Sequence, residues 1–276
     1  MSESVRRYEY GGRIKVTELE KYYNKFNEDK RLTRRHGRVE FITTMKYIHE
    51  GLGEQERDAE SALRVLDVGA GTGRYSIALA EEGFDVSAVE LVRYNLGILK
   101  SKKSSVKAYQ GNALNLSRFS DNSFDITLLL GPMYHLYTFE DKLRALEEAK
   151  RVTRKGGRIF VAYCMNEYGV LLYGFRDGHV RECLEDGRLS EEFRCISGEK
   201  EIYDYVRLED IDRLNEAAAL RRVKIISPDG PANYMRQTLN AMDEESFSLF
   251  LRYHLSVCER QDLIGAGAHT LDILQV

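Results

Sequence analysis

The run Val65 to Tyr75, VLDVGAGTGRY, constrains this chain more than any other stretch. A short apolar strand, Arg64 to Val68, meets three glycines in G-x-G-x-G spacing and then a helical pattern, Tyr75 to Glu82. Such a turn lets backbone approach a ligand closely while a strand hands over to its crossover helix. A second apolar run, Phe84 to Val89, ends in an acid, Glu90. Strand, glycine turn, helix and strand-tip carboxylate predict a βαβ unit that holds an adenosine-containing ligand, with the acid on the ribose hydroxyls. A dinucleotide loop would place its third glycine at position 74, which is Arg74 here, and Asp67 also departs from a pyrophosphate loop. A nicotinamide or flavin enzyme therefore fits the turn less well.

The alternation continues beyond this unit. A helix over Leu91 to Lys102 and a strand over Ser105 to Gln110 precede GNAL, Gly111 to Leu114. A fourth strand and loop follow in FDITLLLGPMYHL, Phe124 to Leu136. A helix over Glu140 to Val152 leads through RVTRKGGRIFVAY, Arg151 to Tyr163, into a fifth strand near 158–163. A charged helix, Leu208 to Ala219, a sixth strand, Val223 to Ile226, and a closing HTLDILQV, read as an edge strand, complete the pattern. Alternating strands and helices predict an α/β fold with a doubly wound sheet. Residues 1–60 read as a helical preface, with apolar positions at helical spacing in Val16 to Phe26 and Phe41 to Ile48.

In this order the motifs resemble the class I S-adenosylmethionine-dependent methyltransferases, best over residues 64–164. GPMYHL is similar to the G-P-L-Y-H-L loop after strand four in a bacterial group of that family. The resemblance implies a transferase with S-adenosyl-L-methionine as cofactor. It also implies a mostly parallel, seven-stranded Rossmann-like sheet with an antiparallel last strand. Gly69, Ala70 and Gly71 would hold the methionine end, with Asp67 supporting the turn or the amino group through water. Glu90 would chelate the ribose, and Leu91, Ala113 and Leu130 would lie beside the cofactor. Asn112 stands where the family often has Asp contacting the adenine amino group, and its amide oxygen can accept the same bond. From residue chemistry, Arg31 in the preface would clamp the cofactor carboxylate or an anionic substrate bidentately, or else Lys30 to Arg38 is a solvated charged turn; Tyr23, with Tyr22, would close over the methionine end.

Methyl transfer from a sulfonium is an in-line displacement that depends mainly on alignment and exclusion of water. Tyr134 and His135, on the loop expected to face the methyl group, are the candidates for catalysis. His135 would take a proton from a hydroxyl or amine acceptor, or else pin the loop through hydrogen bonds to main chain. Cys164 ends strand five where some RNA cytosine methyltransferases carry a nucleophile, but their other motifs are missing, as is the paired-proline motif for exocyclic amines. His179 with Cys183 and His254 with Cys258 share i, i+4 spacing that two helices could offer to zinc. The expectation is no metal.

Two segments exceed the minimal fold, 166–204 and 229–267. Both leave the carboxyl edge of the strands, where open sheets bind ligands. Long segments there tend to be lids, so the expected organisation is a single domain over 1–276: cap 1–60, cofactor core 64–164 and two lid insertions. Enclosure favours transfer to N or O of a small polar molecule. The charge is balanced, 41 basic against 44 acidic residues, which gives no global pull toward nucleic acid. RNA, tRNA or rRNA, is nonetheless the alternative acceptor, resting on the basic residues Lys30, Arg31, Arg34, Arg35 and Arg38 and on Lys100 to Lys107. A non-catalytic cofactor-binding regulator is the third reading. No apolar run reaches membrane-spanning length, and four cysteines without C-x-x-C pairing suggest reduced thiols in the cytoplasm. Nothing in the pattern fixes an oligomeric state.

Overall fold

A computed structural model describes residues 18–23, 32–55, 62–198 and 200–276. Its centre is a sheet of seven strands: β1 (Arg64–Val68), β2 (Asp85–Glu90), β3 (Lys107–Gln110), β4 (Phe124–Leu129), β5 (Thr153–Cys164), β6 (Arg221–Ile226) and β7 (His269–Gln275). Their order is β3-β2-β1-β4-β5-β7-β6. All pairings are parallel except those of β7, which runs antiparallel to both β5 and β6. The expected seven-stranded sheet with an antiparallel last strand is thus present. The expected edge position of HTLDILQV is not: β7 is inserted between β5 and β6, and β6 is the edge. Asp272 misleads there, because an acid suggests solvent. It is fully buried, its carboxylate held by Arg222 at 2.7 and 2.9 Å and by Asn215 at 2.6 Å.

The helices α1 (Glu18–Tyr23), α2 (Arg35–Gly53), α3 (Arg74–Glu81), α4 (Arg93–Ser101) and α5 (Phe139–Val152) accompany the first five strands. Strand periodicity explains why helices cover both faces. Leu66, Val68, Ile159, Val161 and Tyr163 point into one core with Ala145 and Leu146 of α5. Val65, Phe160 and Ala162 point into the other with Ile48 of α2 and Leu79 of α3. Parallel strands buried on both sides read as the continuous apolar runs seen here. α5 is well specified locally. The Thr138 hydroxyl caps it by accepting the Asp141 N–H, with acids in its first turn and Lys150 and Arg151 in its last.

Beyond β5 come α6 (Asn166–Gly169), a wide π-helical turn (Val170–Arg176) and α7 (Val180–Glu185), then irregular chain up to α8 (Leu208–Ala217). Between β6 and β7 lie α9 (Arg236–Ala241) and α10 (Glu244–Val257). Both segments therefore start at the carboxyl edge of the parallel strands. Among the described residues, no helix is long and apolar enough to cross a membrane.

Candidate functional site

Everything in the candidate site gathers at the carboxyl edge of β1, β2, β4 and β5. The glycine turn bends sharply there: Gly69, Gly71 and Gly73 take φ of 75°, 57° and 86°, values that disfavour any side chain. Gly69 and Ala70 donate to the Val89 carbonyl at 2.8 and 3.1 Å, tying the turn to the end of β2. A Cβ on Gly69 would come within 2.7 Å of Pro132 Cδ, so this glycine lets the turn lie directly on the loop after β4. The two sequence motifs, VGAGTG and GPMYHL, are one packed unit.

Glu90 ends β2 and is buried, 5% exposed. Its Oε2 accepts the Gly71 N–H at 2.7 Å and its Oε1 the Val92 N–H at 2.7 Å. Both carboxylate oxygens are thus fixed at the tip of β2, beside the glycine turn. Leu91 follows it, half-buried at the same strand tip. Asp67, two residues before Gly69, lies inside the core and accepts the Ser76 hydroxyl at 2.5 Å. Burial pushes its pKa up to about 6, and the Ser76 bonds oppose that rise. It thus straps the first turn of α3 to β1. Asn112 accepts the Leu114 N–H at 3.0 Å, shaping the GNAL loop, while Ala113 is buried in the core. Leu130 is half-buried beside the loop after β4.

That loop is a short 3₁₀ turn, Pro132–His135. The Tyr134 hydroxyl donates to the Leu130 carbonyl at 2.9 Å. His135 Nδ1 lies 2.8 Å from the Ile202 carbonyl, which can only accept, so Nδ1 carries the proton and Nε2 accepts from the Tyr23 hydroxyl at 3.0 Å. Burial lowers the His135 pKa to about 4, with the Ile202 bond opposing. The ring is neutral and fully engaged. The Asp204 N–H donates to the Tyr134 carbonyl at 2.8 Å, and the Tyr137 hydroxyl to the Glu201 carbonyl at 2.5 Å. Residues 201–204 of the first extra segment are thereby fastened to the loop.

Rings complete this wall. Tyr203 stacks on His135 at 5.5 Å between centroids, and Tyr22 meets Tyr203 edge-on and shares a hydroxyl contact of 3.1 Å. Tyr23 meets His135 edge-on. Tyr22 and Tyr23 thus reach the loop after β4, whereas Arg31 and Lys30 lie outside the described residues, as does part of the expected Val16 to Phe26 helix. The tyrosines Tyr203 and Tyr205 and the group Glu40, Asp229 and His269 are missed by sequence reasoning. They stand in four separate stretches without a motif, and only the turn-forming SPDG at 227–230 hints at a fixed strand tip.

The other candidates are placed elsewhere or otherwise occupied. Cys164, a free thiol, is buried as the last residue of β5. His179 stacks on Tyr173 and pairs with Glu182, while Cys183 is buried in a separate small cluster. His254 bonds the Pro228 carbonyl at 3.1 Å and Cys258 meets the Tyr47 hydroxyl at 3.3 Å. In the basic preface, Arg35 and Arg38 both pair with Glu244 of α10. Lys107 pairs with Asp85, and Lys102 donates to the Thr72 carbonyl. A cavity of about 320 Å³ behind the loop is lined by Tyr137, Lys142, Arg194 and Asp204 but by neither the glycine turn nor Glu90. There Lys142 pairs with Asp204 and Arg194 with Asp210.

Comparison with known proteins agrees with this arrangement. Residues 66–161 match the family model for a methyltransferase domain. A demethylmenaquinone methyltransferase from Paenarthrobacter aurescens is 36% identical over 105 residues, 38% of this chain and 40% of that protein. One from Beutenbergia cavernae is 33% identical over 165 residues, 57% and 63% of the two chains. The matches therefore span less than two thirds of these relatives. A solved S-adenosylmethionine-dependent methyltransferase from Methanosarcina mazei superposes with a TM-score of 0.54 at 14% identity, covering 83% of this chain and 96% of that one. Motif order, sheet topology and the family match agree: residues 66–161 form a methyltransferase domain, in a fold shared with S-adenosylmethionine-dependent methyltransferases.

Proposed function

We propose that this chain transfers the methyl group of S-adenosyl-L-methionine to an N or O atom of a small polar molecule by in-line displacement. One observation carries the reading. Glu90, the glycine turn and the loop 130–135 form one edge, and residues 201–204 are fastened over that loop. The donor supplies a methyl group already activated on a sulfonium. Glu90, buried at the tip of β2, takes the ribose hydroxyls, and Gly69, Ala70 and Gly71 present backbone to the methionine end. Asn112 and Ala113 border the adenine, with Leu91 and Leu130 on either side. Asp67 acts by holding the turn. Arg31 is assigned to the donor carboxylate on the bidentate chemistry of its guanidinium.

The rings of Tyr134, Tyr23 and Tyr203 form a wall whose faces attract positive charge, the property needed next to a sulfonium. His135 is assigned as the anchor of that wall, because its two nitrogens are engaged and burial keeps it neutral. The segments 166–204 and 229–267 and the preface act as covers over one domain. The pairing of Arg35 and Arg38 with Glu244 favours a metabolite over RNA as acceptor. We place the reaction in the cytoplasm, where thiols such as the four free cysteines stay reduced.

The test is incubation of the full chain with methyl-labelled donor, a small-molecule extract and total RNA, followed by size fractionation. Label in the low-mass fraction, insensitive to ribonuclease, is expected. Label in RNA would contradict the acceptor class. Donor binding without transfer to any fraction would favour a regulator.

A further inference from the structure

His135 leaves the site without a proton acceptor, and the structure offers another histidine on the same edge. His269 opens β7 and pairs in register with Cys164, the last residue of β5. Because β7 is antiparallel, its first residue lies where β4 and β5 end, and the His269 ring sits 6.2 Å from that of Tyr134. Its Nδ1 is 2.8 Å from Asp229 Oδ2, and its own backbone N–H donates to Asp229 Oδ1 at 3.2 Å. Asp229 lies just beyond β6, is fully buried, and is further fixed by the Asn233 amide at 2.9 Å. In the neutral ring such a carboxylate holds the proton on Nδ1 and leaves the lone pair on Nε2. Among the described residues Nε2 has no hydrogen-bond partner, and the side chain is 18% exposed rather than sealed.

We propose that His269, oriented by Asp229, accepts the proton of the methyl acceptor through Nε2. This inference rests on the methyl-transfer reading. As the acceptor lone pair forms its bond to the methyl carbon, the sulfur–methyl bond breaks and its electron pair stays on sulfur. The acceptor proton passes to Nε2, and Asp229 balances the imidazolium so formed. The groups facing the ring are Asp229, Glu40 with Oε2 at 3.9 Å from Nδ1, Cys164 and Tyr134. Burial opposes the charged ring, but Cys164, Glu40 and Asp229 outweigh it and raise the pKa well above the ordinary histidine value. A sulfonium arriving nearby repels that charge. Donor binding then favours the neutral ring, which is the form able to take a proton.

Nitrogen NMR of the full chain labelled in its histidine rings tests this without a known acceptor. His269→Gln assigns the signal, and pH is titrated with S-adenosylmethionine and, separately, with S-adenosylhomocysteine, which lacks the positive charge. The neutral ring should carry its proton on Nδ1. Its pKa should be lower with the sulfonium by about half a unit or more, as for a charge several ångströms away. His49, paired with Glu82 at the far end of α3, should not respond. Asp229→Asn should lower the His269 pKa with either ligand. A proton on Nε2 in the neutral ring, or equal pKa values with the two ligands, would overturn the proposal. Selective broadening of His269 by added Mn²⁺ would overturn it in favour of a cation on Glu40, Asp229 and His269. No saturable shift from either ligand would remove the donor reading itself, and this inference with it.

Discussion

Two buried ionisable residues in the site respond to pH in opposite directions. Asp67 has a folded pKa of about 6, above that of a free aspartate, so the folded state holds its proton more tightly. Its contribution to stability falls as pH rises from about 4 through 6. Asp67→Asn, which keeps an acceptor for Ser76, should therefore stabilise the ligand-free protein at pH 8 by up to about 3 kcal/mol. In denaturant titrations that gain should vanish below pH 4. An equal gain at both values would mean that Asp67 charge is not the cause. His135 has a folded pKa of about 4, so the unfolded chain binds more protons between pH 4 and 6.5. Its contribution is complete above pH 6.5 and is lost as pH falls toward 4. His135→Gln should flatten that acid loss while leaving donor affinity intact. Sequence alone leaves His135 as base or anchor, because burial and the tautomer depend on Ile202 and on Tyr23, distant in the chain.

At the scale of elements, the glycine turn and the loop after β4 stand or fall together. Gly69→Ala would place a methyl against Pro132 in a backbone conformation that L-residues avoid. A loss of about 1–3 kcal/mol in stability, read by denaturant unfolding, and weaker donor binding are expected together. Loss of neither would show that the two motifs are not in contact. The strands β1, β2 and β4 were legible to within a residue or two, since both-face burial writes itself as apolar runs. The register of β7 was not. It depends on the pairing of His269 through Gln275 with β5, and on Arg222 making Asp272 acceptable inside the sheet. The glycine turn and Glu90 were legible because they are local to one βαβ unit. Tyr203, Asp229 and His269 were not, because they meet only after two long segments fold back.

The whole molecule shows how an alternating sequence brings separate stretches to one edge. Two cores, one on each face of the sheet, pack behind that edge. Leu66, fully buried on β1, belongs to the first, and Leu66→Ala should cost about 2–5 kcal/mol in unfolding free energy. Two basic residues of the preface, Arg35 and Arg38, share the Glu244 carboxylate of α10. The central claim is that Glu90 and the glycine turn bind S-adenosylmethionine, and calorimetric titration tests it most directly. The full chain is titrated with S-adenosylmethionine and with NADH, and Glu90→Ala with the former. Saturable binding of S-adenosylmethionine alone is predicted, weakened by about 1–3 kcal/mol in the variant. Binding of NADH instead, or unchanged affinity in Glu90→Ala, would contradict the account.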